Sequence, residues 1–397
     1  MAKVMAVNAG SSSLKFKLYE MPEERVLCCG IADRIGHNDG IFCIKYNGKQ
    51  DRVILPILDH KVGVELLLKA LVEKKIIKSL DEIKAIGHRI VQGGKYFSKS
   101  VPFTKDVEKK IESLIPLAPL HNSAHLIGFH AFKDVLPNVP AVAVFDTAFH
   151  QSMVEEDYLF PIPYEYSEKY DCRRYGAHGT SHQYLSEVGT QEYLKGVKHP
   201  KIICCHIGSG ASLCAIKDGK CVATSMGLTP LGGIMMGTRT GDLDPSVMNY
   251  LCDCTGKSAE EMYQIFNKNS GFLGVSGISN DSRDILEAVA IGNKRAITAD
   301  KLFIRRIADY IGQYYVRLGG CDLIIFSAGI GENSDYYREK IVEAIAPALH
   351  VEIDKKINSG LRGMDALLST ETSAIKIAVI PTDEEVIIAR DACKLIK

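Results

Sequence analysis

Short runs dominated by apolar residues recur from the start of the chain: KVMAV (3–7), LKFKLYE (14–20), RVLCCGIAD (25–33), IFCIKY (41–46) and RVILPIL (52–58). Gly, Pro or Asn separates most of them, so the pattern predicts a meander of strands. Further on, AIGHRIV (85–91) reads as a strand, SAHLIGFHAF (123–132) as an amphipathic helix and AVAVFD (141–146) as another strand. That alternation is expected of layered α/β domains, and the fold class is therefore α/β. A long helix is predicted across 296–318, where Phe303, Ile307, Ile311, Tyr314 and Leu318 share one face. The last segment predicts a buried strand, IKIAVI (375–380), and then a helix opened by Glu384 and Glu385, acids placed where the helix dipole favours them.

Length and charge narrow the possibilities. The 397 residues exceed the roughly 100–200 of a typical domain, so two domains are expected. The Pro- and Tyr-rich stretch FPIPYEYSEKY (160–170) is a reasonable place for the chain to change domains. Lys plus Arg and Asp plus Glu each number 48, a net charge of 48 − 48 = 0. No overall field holds nucleic acid or an anionic membrane, and any anionic ligand must be caught by local groups. No apolar run approaches the ~18–20 residues of a membrane helix, and the start lacks the pattern of a signal peptide, so a soluble cytoplasmic protein is expected. Twelve cysteines include adjacent pairs and one CxC but no CxxC. Most of them read as small buried hydrophobes in a reducing compartment.

Gly10-Ser11-Ser12-Ser13, followed by Lys15, offers backbone N–H groups, hydroxyls and an ammonium at a tight turn, a combination suited to phosphate oxygens. It is not a P-loop, because the GxxxxGK[ST] spacing is absent and a strand follows. The same Gly-Ser turn recurs in His206-Ile207-Gly208-Ser209-Gly210, between IICC and ASLCAIKD. Two ordinary glycine hairpins explain the turns as well as two related half-molecules do. A third glycine cluster, Gly329-Ile330-Gly331-Glu332-Asn333, also follows a strand. Three such loops at strand ends favour a nucleotide lying between two domains.

Gly237-Thr238-Arg239-Thr240-Gly241 presents an arginine just before a helix that Asp244 would cap and Pro245 would start. With Arg89 it makes two candidate forks for a carboxylate or a phosphoryl group, although for either arginine taken singly a structural ion pair is the better reading. His178 lies in a glycine-rich turn ahead of a Thr/Ser helix cap, which suggests a ligand-facing role. His121 and His125 fall on one helix face, without the HExxH that a metal site would carry. Asp146 ends a predicted strand where α/β enzymes keep catalytic carboxylates, and its alternative role is to cap the next turn.

NAGSSSLKF (8–16), GHRIVQGG (87–94), LAPLHN (117–122), FDTAFH (145–150), YGAHGTSH (175–182), HIGSGAS (206–212), TPLGG and GTRTGDLDP (229–245), SNDSRD (279–284), AGIGENS (328–334) and PTDEE (381–385) resemble, in order, the signature segments of acetate kinases across essentially the whole chain. The resemblance implies two related ribonuclease H-like domains of the sugar kinase, actin and chaperone ATPase superfamily, with a nucleotide cleft between them. It places an N-terminal domain on the acyl side at residues 1–148 plus 384–397 and a nucleotide-side domain at 149–383. Asn8 and Glu384 would be the site of Mg2+, or of Mn2+, and Lys15 would lie near the nucleotide phosphates. His206, Ile207, Gly208, Ser209 and Gly210 would form the second phosphate loop. Asp281, Ser282, Arg283 and Gly329, Ile330, Gly331, Glu332 and Asn333 would hold the adenosine. Arg89, Arg239, His178 and Asp146 would surround the reacting groups, and Val91, Leu120, Ala177 and Pro230 the acyl chain.

The implied reaction is reversible transfer of a phosphoryl group between ATP and acetate, giving ADP and acetyl phosphate. The implied partners are small molecules and a second copy of the chain, with no nucleic acid and no membrane. Propionate or butyrate kinase on the same fold, or a non-catalytic nucleotide-gated switch, are the alternatives. A carboxylate with a pKa near ~4 is already ionised at neutral pH, so the reaction needs alignment and charge compensation rather than a strong base. This sequence departs from the family pattern at Ala177 (usually Phe), Gln92 (His), Ser209 (Asn) and Thr240 (Ser). Loss of an aromatic wall at Ala177 leaves room for a longer acyl chain at ~0.8 kcal/mol per buried methylene.

Overall fold

In the computed structural model, which describes residues 1–396 apart from the side chain of Leu120, all five N-terminal apolar runs are strands. They are β1 (Ala2–Ala9), β2 (Ser13–Met21), β3 (Arg25–Asp33), β4 (His37–Tyr46) and β5 (Lys49–Ile57). Each pairs antiparallel with the next. The later strands β6 (Ile83–Ile90), β7 (Val101–Pro102) and β8 (Ala141–Phe145) extend the sheet on the other side of β1, in the order β5-β4-β3-β2-β1-β6-β8-β7. β6 is parallel to β1, and β8 is parallel to β6. Helices His60–Glu73 and Pro119–Val135 pack on this sheet, and so does the terminal helix Glu384–Leu395. These elements make one compact unit, Met1–Phe149 together with the segment from Asp383 onward.

The second unit, His150–Thr382, has its own six-stranded sheet. Its strands are β9 (Lys201–Ile207), β10 (Ala211–Lys217), β11 (Lys220–Thr224), β12 (Leu323–Ser327), β13 (Ala366–Leu367) and β14 (Lys376–Val379), in the order β11-β10-β9-β12-β14-β13. β9, β10 and β11 are antiparallel, whereas β12 runs parallel to β9 and β14 parallel to β12. The series β1-β2-β3-β6-β8 and β9-β10-β11-β12-β14 therefore have one topology. Equivalent position in two like sheets, not chance, accounts for the repeated Gly-Ser turn.

The long helix runs Lys294–Leu318, and all five of its predicted stripe residues are buried in the core of this unit. The Pro- and Tyr-rich stretch lies inside the second unit and carries the short helix Tyr164–Tyr170. Among the described residues no helix is long and apolar enough to cross a membrane. All twelve cysteines are unbridged, and Cys28, Cys204, Cys205, Cys214 and Cys221 are fully buried.

His88, on β6 one residue before Arg89, shows how the first core treats a titratable group. Its ring meets Phe103, Phe129 and Phe132 edge-on at centroid distances of 6.0, 5.6 and 5.6 Å. Its Nε2 has no hydrogen-bond partner among the described residues. Burial pushes its pKa from 6.5 down to about 3. The unfolded chain takes up this proton below about pH 6.5, while the folded chain refuses it until about pH 3. The stabilising contribution is thus complete above pH 6.5 and is lost as pH falls. His88→Phe is expected to remove about 3 kcal/mol of the stability loss seen on acidification to pH 4. Urea titrations of both proteins at neutral pH and at pH 4 measure the difference, and equal losses in the two would show that His88 is protonated in the fold.

Candidate active site

In the first unit the functional groups gather where parallel strands end, the usual place for ligands in such sheets. Val7 of β1 is in register with His88 of β6, so Asn8 and Arg89 come one residue beyond that pair. Arg89 is in register with Val144 of β8, and Asp146 follows the end of that strand. Asp146 is fully buried and does not serve as a turn cap. Its two oxygens accept from Arg89 Nε at 2.9 Å and Nη2 at 2.6 Å, a fork-to-fork pair. Burial works against the charge on Arg89, but Asp146 and Glu384 outweigh it and hold the guanidinium above the ordinary arginine range.

Glu384 opens the terminal helix, with an oxygen 3.8 Å from Arg89 Nε. Desolvation raises its pKa despite Arg89, whose fork is already committed to Asp146. A half-buried carboxylate, with the half-buried amide of Asn8 at the end of β1, is an oxygen donor set suited to a hard divalent cation such as Mg2+. Lys15 is exposed on β2, opposite Asn8 in the hairpin register. Val91 is buried just past β6, and the side chain of Leu120 lies outside the described residues.

In the second unit His178 has a left-handed backbone (φ 58°) and stands immediately before helix Gly179–Tyr193. Thr180 and Ser181 do not form the cap that the sequence suggests, because the helix begins at Gly179, two residues before a Thr180 cap would start it. Ser181 Oγ instead bonds His206 Nδ1 and Thr382 Oγ1, each at 2.8 Å. His178 Nδ1 is 2.9 Å from Ser212 Oγ, and its ring stacks on His206 with centroids 4.2 Å apart. Those contacts fix the orientation of the imidazole.

Arg239 sits in a loop held by backbone bonds. Phe272 N donates to Met236 O at 2.9 Å and Leu273 N to Gly237 O at 3.0 Å, while Gly237 N donates to Ser209 O of the hairpin turn at 3.1 Å. Gly271 makes this contact possible. Its φ is +63°, and a Cβ there would lie 2.1 Å from Met236 O. The guanidinium is part-buried and donates to Pro230 O at 3.2 Å, with Met236 Sδ at 3.5 Å. Among the described residues no carboxylate pairs with it, and desolvation lowers its pKa. A methyl on Gly210 would lie 3.5 Å from Arg239 Nη1 and 3.9 Å from His178 Cε1, so both groups border the same turn. Ala177 is buried in the core of this unit, and Pro230 is tied to Arg239 by its carbonyl.

A cavity of about 650 Å³ in the second unit is lined by Gly208, Ser209, Asp281, Ser282, Arg283, Gly329, Ile330 and Asn333, eight residues singled out from the sequence. Its size falls in the range of small-molecule sites. Asp281 caps helix Ser282–Ala290 and forms a bidentate pair with the exposed Arg283. Glu332 requires a correction, because its side chain turns inward. Its Oε1 accepts from Ala328 N at 2.8 Å and Thr382 N at 3.1 Å, so it braces the loop rather than lining the cavity. His206, Ile207, Gly210 and Gly331 also lie outside the lining, and Lys15 belongs to the first unit.

Sequence reasoning did not single out Asn280, although it lies in the SNDSRD segment, and it missed Tyr336 and Arg362 of the same cavity, which carry no motif of their own. It also missed Arg338. This fully buried guanidinium donates to Gly331 O, Glu332 O, Leu361 O, Asn358 O and Asn358 Oδ1 at 2.7–3.3 Å, clamping the glycine loop to the segment that carries Arg362. Burial pushes its pKa down to about 10. Five acceptors around one arginine leave no sequence trace, since they are mostly backbone carbonyls.

Comparison with known proteins identifies the family. The Acetokinase family profile matches residues 3–390. The chain is 51% identical to the acetate kinase of Bacillus subtilis (strain 168) over 397 residues, covering 100% of both. Among solved structures, Porphyromonas gingivalis acetate kinase superposes with a TM-score of 0.92 at 42% identity, and a propionate kinase from Francisella tularensis with 0.93 at 39%, each over the full length of both chains. Arg89, Asp146, His178 and Arg239 thus stand in a chain that belongs to the acetokinase family.

Proposed function

We propose that this chain carries out reversible, Mg2+-dependent phosphoryl transfer between ATP and acetate, by direct in-line attack of the carboxylate on the terminal phosphate. The observation that carries the proposal is Arg239, a part-buried guanidinium beside His178 whose neighbours are a carbonyl and a thioether rather than an acid. A desolvated cation of this kind favours an anion, and charge on a transferring phosphoryl group is one it stabilises in the transition state. The 650 Å³ cavity is the favoured seat of the adenosine. Arg89 and Asp146 belong to the first unit and Arg239 and His178 to the second, and the proposal assigns both sets to one reaction.

An acetate ion approaching a polyphosphate meets repulsion, and the two guanidiniums and the imidazole offset it. Mg2+, held through Glu384 and Asn8, supplies charge neutralisation to the phosphates when bound. Asp146 has both oxygens engaged by Arg89, so it orients that fork and does not remove a proton. The family resemblance supports a homodimer in the cytoplasm, the unbridged cysteines are consistent with a reducing compartment, and zero net charge gives no reason to expect nucleic acid or membrane partners. A longer acyl substrate is the second reading, favoured by Ala177 where the family usually carries phenylalanine.

Hydroxamate formation from acetate, ATP and hydroxylamine tests the activity directly, and ATP binding without acyl phosphate would favour a nucleotide-gated switch. Arg239→Ala is expected to lower kcat by about 10²–10³. Calorimetry should find ATP affinity within about twofold of wild type, and a parallel collapse of ATP binding would place Arg239 in nucleotide binding instead. For Asp146→Asn we expect a slower enzyme whose pH–rate profile keeps the wild-type shape; an ascending limb near neutrality that the substitution abolishes would make Asp146 a general base. One methylene is worth ~1–3 kcal/mol, roughly 10–200-fold, and with the small Ala177 in place of an aromatic wall propionate is expected at the low end, within about tenfold of acetate in kcat/KM. A hundredfold preference for acetate would show that other side chains close the acyl site.

A further inference from the structure

Beneath the His178 turn lies a cluster that the proposed reaction does not use. His150 Nδ1, Cys214 Sγ and Cys221 Sγ face one another within the second unit, all on fully buried residues. The separations are 3.2 Å from Nδ1 to Cys221 Sγ, 4.0 Å from Nδ1 to Cys214 Sγ and 3.5 Å between the sulfurs. Zinc bonds of ~2.3 Å to sulfur and ~2.0–2.1 Å to nitrogen put tetrahedral ligand atoms about 3.5–3.8 Å apart, close to this triangle. The hairpin sets the two thiols. Cys221 pairs with Ile216, two residues past Cys214 on the same face, so the cysteines are diagonal neighbours across β10 and β11.

The imidazole is oriented as a metal ligand requires. Its Nε2 lies 3.0 Å from Ala177 O, an acceptor only, so Nε2 carries the proton and the Nδ1 lone pair points at the sulfurs. Gly176 allows that approach, because at φ +76° a Cβ there would come 2.6 Å from His150 Cδ2. Cys221 helps to line a cavity of about 500 Å³ whose wall includes the exposed Asp218 and Lys220.

We propose that His150, Cys214 and Cys221 form a binding site for one thiophilic divalent cation of the zinc class, which ties the β10–β11 hairpin to the turn that carries His178. On binding, each thiol gives up its proton to solvent and both sulfurs bond the metal, with three protein donors and one position left in a four-coordinate shell. A divalent cation, two thiolates and a neutral imidazole sum to zero charge, the condition a buried cluster tolerates. Magnesium, which prefers oxygen ligands, is not a competitor here.

The test is a titration of the full-length, metal-stripped, reduced protein with Co2+ in the absence of nucleotide. One equivalent is expected to give the visible bands of tetrahedral Co2+ with thiolate-to-metal charge transfer, and Zn2+ is expected to displace it. Cys221→Ser and Cys214→Ala should each abolish the charge-transfer band, while Cys252→Ser, remote in sequence and in an unrelated helix, keeps it. Circular dichroism of each variant separates lost binding from lost folding. Persistence of the band in folded Cys221→Ser, absence of stoichiometric binding by the wild type, or a loss of two titratable thiols to a Cys214–Cys221 disulfide on mild reoxidation with no metal bound after re-reduction would each overturn the proposal.

Discussion

A guanidinium taken from water must meet compensating charge or a full set of acceptors, and the architecture answers that demand in three ways. Arg338 is surrounded by carbonyls and serves as a brace. Arg89 is matched by the fork of Asp146. Arg239 has a single carbonyl and a sulfur, and no carboxylate among the described residues answers its charge. Removing one partner of a buried pair typically costs ~3–5 kcal/mol, so the Arg89–Asp146 geometry is strongly held whatever its net contribution to stability. The Arg239 loop stays in place by different means, through backbone bonds from the helix start at Phe272 and Leu273. A cation without an acid partner therefore keeps its position without being neutralised by its own scaffold.

The two sheets explain why the candidate site residues cluster at strand ends. In each unit a glycine turn closes the first hairpin and two further strands run parallel to its first strand. Parallel strands finish on one edge, so Asn8, Arg89 and Asp146 emerge together in one unit. In the other, the turn 208–210 and the loop after β12 do the same. Backbone N–H groups are then available beside side chains, a combination suited to phosphate and carboxylate ligands. The antiparallel side of the second sheet carries the cysteine pair, because a hairpin brings residues seven apart in sequence onto one face.

Local pattern was enough for the elements. The strand meander, the stripe of the long helix and the acids opening the terminal helix are set by neighbours a few residues away, and they appear as expected. Motif order was enough for the family, and residue type at a glycine turn was enough to single out Arg239 and His178. The cap assigned to Thr180 and Ser181 failed because the helix starts before them and the Ser181 hydroxyl is taken by His206, a partner no local rule includes. Glu332 misled for the same reason, since a glutamate in a glycine loop reads as ligand-facing until Ala328 N and Thr382 N claim it.

By itself, then, the amino-acid order determined the α/β class, the positions of most elements, the family and the short roll of chemically able residues. Tertiary structure alone decided which of those residues meet: that Arg89 finds Asp146 across 57 positions, that Arg239 finds no acid among the described residues, and that His150 comes to lie against Cys214 and Cys221. The physical reason is range. Helical period, strand alternation and turn preference act through covalent neighbours, whereas compensation of buried charge and convergence of donor atoms depend on strand register and packing between segments far apart in the chain.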